Sequence, residues 1–353
     1  MIIITVLGLA LIIFISGRIF FPSFRQETAI KSSPLRPNTR KIIDFQIKRD
    51  YQLIPYYVDL EVGDTLQVIK ANGDNIEILI SSIAIESHSS SCPRTRVILI
   101  AEGHEYTAYC GMREPREGGI GPVDISGLKI GVEVTRLLFS RMKGGSSPFN
   151  TYERLKLQGD VRLAVWDGLR GITPGIDGHF VVNQPIWTRE RFGNWLHSTN
   201  YGLHTAIDIF ATSHGVAEEV KAPVDGTVYR VYNRDITPDD KRRSKAINIY
   251  GDATVGPDNE KILYRFHHFS DIFVSDGESV RSGQVIGLTG HTGFNPTIGD
   301  HLHFEIRLNP SHFGQVEDPN IFETIPVNPY FFLLEWYNAD KGRKRRLERD
   351  DDK

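Results

Sequence analysis

His301-Leu302-His303-Phe304-Glu305-Ile306 alternates polar and apolar residues with period two, the signature of a half-buried strand. His301, His303 and Glu305 then share one face, while Leu302, Phe304 and Ile306 point into a core. Same-face neighbours on a strand lie about 6.5–7 Å apart. That gap suits one metal ligand beside one residue that reaches a metal-bound water. Two histidines on a strand face also occur for purely structural reasons, so a metal reading needs further ligands.

Upstream, His204-Thr205-Ala206-Ile207-Asp208 offers two of them. On a straight strand, residues four apart lie about 13 Å apart, too far to share one ion. The chain must therefore bend between them. Tyr201-Gly202 makes a loop plausible before the histidine, and Ile207, Ile209 and Phe210 predict a buried strand after it. His204 then sits at a loop end and Asp208 in the strand. A set of His, Asp and His leaves the fourth zinc position open to water, as in catalytic sites; structural sites are usually closed by four protein ligands. Zinc would lower the pKa of such a water towards about 7 and polarise a scissile carbonyl. A neutral histidine beside it would take the proton.

The order of the flanking segments sharpens this reading. Phe192-Gly193 precedes the first motif, and Ala222-Pro223-Val224-Asp225-Gly226-Thr227-Val228 follows it. Then come Leu263-Tyr264, Phe266-His267-His268-Phe269-Ser270, the stretch Gly277 to Gly287, and Thr289-Gly290-His291-Thr292-Gly293 ahead of the final His-x-His strand. Over about 120 residues this arrangement resembles the LytM/lysostaphin-type zinc endopeptidases, which hydrolyse peptides of peptidoglycan. The resemblance implies that His204, Asp208 and His303 bind one Zn2+. It implies that His301 is the catalytic histidine, and that His268 is a second active-site histidine helping to hold the water and the transition state. His267 reads as its structural neighbour. The substrate implied is a peptide bond in peptidoglycan stems or cross-bridges. Three positions depart from the family pattern: Ala206 stands where glycine is usual, Asp300 where a small residue or proline is usual, and His291 is unusual. Ala206 is compatible only with a negative φ.

Around this region the chain reads as mostly β, with two β-rich domains. Residues 1–23 form a membrane anchor or signal segment, 24–41 a polar tether, and 42–182 a β-rich N-terminal domain of unassigned role. Residues 183–325 form the zinc peptidase domain, an antiparallel sheet with a substrate groove, and 326–353 a packing segment and charged tail. Strands are predicted at Tyr56–Val62, Thr65–Lys70, Ile76–Ile85, Val97–Ala101 and Val161–Val165, with a hairpin turn at Asn72-Gly73-Asp74. Arg113 to Gly121 reads as an ordinary loop. His104-Glu105 is no zincin helix, because Ala108 stands where the second histidine would be. Tyr330–Tyr337 reads as a short apolar helix or strand packing back on the peptidase domain. The tail Lys341 to Lys353 reads as a solvated end.

Residues 2–15 carry no charge, a length between a signal-peptide core and a membrane-spanning helix. No small-x-small cleavage site follows, which favours an uncleaved anchor. The expected location is the cell envelope, anchored or secreted, with the catalytic domain outside the cytoplasm. Basic residues such as Arg18 and Arg25 follow the apolar run, against the positive-inside tendency. The net charge of -3 gives no reason to expect nucleic acid as a partner. Cys92 and Cys110 are the only cysteines, so a cysteine zinc knuckle is excluded. They are either buried free thiols or one disulfide, worth about 3 kcal/mol in the chain-entropy model. Two other functions remain for the second domain. A catalytically silent LytM-like regulator of another wall hydrolase would use the same fold without turnover. A lipoyl- or biotinyl-like carrier would need a lysine on a tight hairpin flanked by methionines, and no Met-Lys pair occurs there.

Overall fold

The computed structural model describes residues 29–31, 39–46, 55–86, 94–111, 121–141, 155, 157–168, 192–193, 197–199, 202–210, 216–236, 243–255, 260–293, 299–308 and 324–336. The apolar segment 1–23, most of the tether, Cys92, nearly all of the Arg113–Gly121 loop and the charged tail lie outside them. Among the described residues, no helix is long and apolar enough to cross a membrane.

The first half of the chain builds two sheets. One has the order Arg40–Asp44, Thr65–Ile69, Asn75–Ile85, Arg94–Ala101, His104–Gly111, with Ala29–Lys31 added beside Asn75–Ile85. Its first pair is parallel and the rest are antiparallel. The other sheet runs Tyr56–Leu60, Val161–Asp167, Leu128–Thr135, Val123–Ile125. The five strands predicted here all form. Asn72-Gly73-Asp74 makes its turn, with Gly73 at φ 91° and the Lys70 N–H donating to the Asp74 carbonyl at 2.8 Å. The sheets meet through the Thr95 and Thr135 hydroxyls, 2.9 Å apart, and through the Cys110 thiol, which donates to the Glu133 carbonyl at 3.2 Å. Cys110 is a buried free thiol, and burial pushes its pKa up; Cys92, the other half of that expectation, lies outside the described residues. His104-Glu105 opens an exposed strand end.

The second half is organised by an antiparallel sheet in the order Phe192–Gly193, Ile207–Phe210, His301–Leu308, Glu260–His267, Ala246–Val255, Gly226–Tyr232, Ser279–Val280; Ile325–Val327 also pairs with His301–Leu308. A small sheet of Glu219–Lys221, Val285–Leu288 and Asp271–Ile272 lies apart from it in pairing. One face of the large sheet is apolar. Ile207 pairs with Phe304, Phe304 with Phe266, and Phe266 with Ile247, and all four are buried. The period-two pattern forces the alternate residues onto the other face.

The apolar segment after this sheet takes the helical alternative, over residues 329–336. Asn328 caps it, its Oδ1 accepting from the Tyr330 N–H at 3.1 Å, and Pro329 follows at the first helical position, where its missing N–H costs nothing. The helix does not pack on the second half alone. Trp336 stacks near Tyr264 of the large sheet, with ring centroids 6.4 Å apart. Phe331 meets Trp166 of the first half at 5.5 Å, and the Trp166 indole N–H donates to Glu335 at 3.2 Å. The Asn328 N–H donates to the carboxylate of Glu133, whose pKa burial lifts to about 8. Phe331 fills the space above Gly131, where any Cβ would run into its ring. The helix therefore bridges both halves, because its aromatic residues face two directions.

Removing the Phe331 ring, which is fully buried, should cost about 3–5 kcal/mol of stability. Urea denaturation of Phe331→Ala measures it, and a loss under about 1 kcal/mol would contradict the bridging role.

Candidate metal and catalytic site

The polar face of the large sheet carries the candidate residues. Asp208 is in register with His303, and His303 with His267. One cross-strand row therefore places the three on the same side. His204 ends the strand Gly202–His204, and the chain bends at Thr205-Ala206 before Ile207–Phe210 begins. This is the turn that spacing demanded. Ala206 is fully buried and keeps a negative φ, so the methyl group in place of the family's usual glycine is accommodated.

The bend brings three ligand atoms together. His204 Nε2 lies 3.1 Å from Asp208 Oδ1 and 3.0 Å from His303 Nδ1, and His303 Nδ1 lies 3.2 Å from Asp208 Oδ1. These are the three residues that form the metal-binding group among the described residues. A tetrahedral ion with bonds of about 2.0–2.1 Å sets its ligand atoms roughly 3.3 Å apart. The triangle matches that to a few tenths of an ångström, so the donor set fits zinc. The arrangement is also hard to satisfy otherwise. His303 Nε2 lies 3.1 Å from Glu305 Oε1. Donating there leaves the Nδ1 lone pair facing the other two atoms. A single shared proton would bridge two of the three atoms; a divalent cation serves all three.

The electrostatics agree. Burial works against the Asp208 charge, but His204 and His303 hold its carboxyl well below the usual range. Burial alone would lower the His303 pKa, yet its bonds to Asp208 and Glu305 raise it to about 9. Asp208 and Glu305 thus favour positive charge at His303, whereas burial disfavours it on the neighbouring His267, His268 and His301. Glu305 is buried too, and Arg307, His303 and Arg265 keep it ionised, with Arg307 Nη1 at 2.7 Å and Arg265 Nη1 at 3.0 Å. The sequence pattern places Glu305 on this face but assigns it no role. A carboxylate two residues beyond a candidate ligand histidine on one strand is the signal that could have found it.

His301 and His268 border the triad. His301 Nδ1 lies 3.0 Å from the Gly299 carbonyl and His268 Nδ1 lies 2.8 Å from the Thr292 carbonyl. Each Nδ1–H donates, so each Nε2 is left as a base. Their ring centroids are 4.7 Å apart, and His268 is 5.6 Å from His303. Burial lowers both pKa values, further for His268 because His301 and His303 add to it. Strand alternation would send His268 to the side opposite His267. A left-handed φ of 72° right after the strand returns its ring to His301, a strained conformation of the kind found at functional sites. Gly290 is needed just there, since a Cβ would stand 2.5 Å from the Ser270 nitrogen.

His267 faces His303 at 5.3 Å, and its Nε2 lies 3.3 Å from Arg265 Nη2. Burial, aided by the charges of His303 and Arg265, lowers its pKa to about 3. It stands in the row but outside the ligand triangle. His291 does not turn into the triad. It pairs with Asp300 at 2.6 Å, so the two departures from the family pattern bind each other beside the Gly290–His301 bridge.

Comparison with known proteins places this region. Residues 202–315 match Peptidase family M23. Stage II sporulation protein Q of Bacillus subtilis strain 168 is 28% identical over 122 residues, 33% of this chain and 38% of that protein. The chain thus spans well under half the length of this curated relative. Among solved structures, the catalytic domain of lysostaphin from Staphylococcus simulans is 23% identical, covering 40% of this chain and 88% of that one, with a TM-score of 0.28. The complex titled SpoIIIAH and SpoIIQ contains a chain 21% identical, covering 44% and 88%, with a TM-score of 0.27. Over residues 202–315 the chain therefore matches Peptidase family M23.

Proposed function

We propose that this protein is a zinc-dependent endopeptidase that hydrolyses peptide bonds of peptidoglycan, in stems or cross-bridges, on the extracytoplasmic side of the cell envelope. One observation carries the reading. Three ligand atoms from His204, Asp208 and His303 converge within 3.2 Å, and two imidazoles, His301 and His268, each anchored through Nδ1 to a backbone carbonyl, stand beside them. When bound, zinc would acidify a coordinated water and polarise the scissile carbonyl.

The chain's own residues supply the rest. His204, Asp208 and His303 would hold the metal, and Glu305 fixes the His303 ring and tautomer. His301, kept neutral by burial, accepts the proton from the attacking water at Nε2. The imidazolium so formed can then return the proton to the leaving amine. His268 accepts a hydrogen bond from the same water and holds it against the carbonyl carbon. Its anchoring to Thr292 and Ser244 fixes that position before substrate arrives.

Release of soluble fragments from purified peptidoglycan should require the metal, being lost on chelation and restored by zinc. His301→Ala should bind zinc normally yet lose about 10²–10⁴-fold in kcat. Zinc-loaded protein that releases nothing from any wall preparation would instead favour a silent regulator of another hydrolase. Glu305→Gln keeps the shape but loses the charge that orients His303. Its zinc affinity should fall about 10–100-fold, as read by competition with a coloured chelator; an unchanged affinity would show that Glu305 serves the fold alone.

A further inference from the structure

One row beyond the metal ligands, the same sheet face carries a second line of polar residues. Glu305 pairs in register with Arg265, Arg265 with Asn248, and Asn248 with Arg230. Side chains in register share a face, so this line runs beside His303 and His267, about 6.5–7 Å further along the strands. Arg230 is spent on Asp276 at 3.2 Å. Arg307 is buried and committed to Glu305 and Thr324. Arg265 is different, with 27% of its side chain exposed.

Two guanidinium groups, Arg265 and Arg307, serve one carboxylate, and both reach the same oxygen, Glu305 Oε2. The other oxygen belongs to His303. The cluster thus holds one positive charge in excess. Arg265 directs one donor to Glu305, one to His267 Nε2 at 3.3 Å and a long one to Asn248 Oδ1 at 3.4 Å. Of its five N–H groups, two have no acceptor among the described residues. They belong to a fork braced by its neighbours, which costs little entropy to present.

We infer that Arg265 is a carboxylate-recognition residue that selects peptides bearing a free carboxylate near the cleaved bond. This rests on the peptidase reading above and narrows it. At about 3.3 Å per extended residue, a carboxylate on Arg265 lies about two residues from the bond over the metal. Acidic stem peptides carry such groups; a bridge of neutral residues offers this guanidinium nothing.

The test uses the full chain loaded with zinc and three peptides: a synthetic stem peptide with free carboxylates, the same peptide with those groups as carboxamides, and N-acetyl-pentaglycine amide, which carries no carboxylate. Binding is followed by calorimetry and hydrolysis in parallel. Wild type should bind the carboxylate form at least about tenfold more tightly than the amide, as expected for a charge-assisted bond. Arg265→Gln should bring that ratio to about one with zinc content unchanged, and Arg265→Lys should keep part of it. Equal binding of both peptides by wild type, binding of neither, or a ratio that survives Arg265→Gln overturns the inference. The last outcome would mean that the metal itself takes the carboxylate. Discrimination without any hydrolysis would instead contradict the peptidase reading and leave the carboxylate site standing, whereas hydrolysis without discrimination would do the reverse.

Discussion

Everything at the site depends on one crowded triangle. His204 Nε2, Asp208 Oδ1 and His303 Nδ1 sit 3.0–3.2 Å from one another in a largely buried pocket. Three electron-rich atoms do not stay that close in a low-dielectric setting without positive charge between them, because an unpaired buried carboxylate costs several kcal/mol. The register of Ile207–Phe210 against His301–Leu308 and the bend at Thr205-Ala206 set the triangle. Both are fixed by burial of the opposite face. A one-residue slip of either strand would drive Asp208 or His303 into the core and Ile207 or Phe304 out of it. The apolar core thus specifies a polar centre it never touches.

Behind the triangle, charge is arranged in layers. Glu305 bonds His303, and Arg265 and Arg307 bond Glu305. A buried carboxylate is tolerable there only because of these partners, and it leaves His303 Nδ1 facing His204 and Asp208. His301 and His268 are anchored instead by neutral carbonyls of Gly299 and Thr292. Carbonyls fix a tautomer without holding a proton on the ring as strongly as a carboxylate would. This division sets His303, bonded to a carboxylate, apart from His301 and His268, bonded to carbonyls.

Much of this was legible in the sequence, and the reasons it was differ by element. The His301–Ile306 strand is read from period two alone, and its two faces fall where that period puts them, but it is not half-buried: His301 and Glu305 on the polar face are buried too. The bend between His204 and Asp208 follows from the distance that four extended residues would span. His268 is different: alternation places it on the wrong side, and only a left-handed φ of 72° brings it back. Residue type does not announce such a conformation at a histidine, so only the resemblance pointed to it. The bridging helix was half legible. Its apolar character is plain, but which half of the chain receives Phe331 depends on Gly131 leaving room, a fact about a strand two hundred residues earlier. His291 and Asp300 look like two separate departures in the sequence, since nothing local links residues nine apart, yet they pair at 2.6 Å.

The first-half sheets give the site its support through residues 329–336 and through Glu133, which accepts the N–H that starts that helix. The central claim, however, is the metal. Elemental analysis of the purified full chain and of His204→Ala and Asp208→Ala decides it most directly. The account predicts one zinc per chain in wild type and its loss in both variants, with the fold retained by circular dichroism. A well-folded wild-type chain that takes up no metal when zinc is supplied, or variants that keep it, would contradict the account.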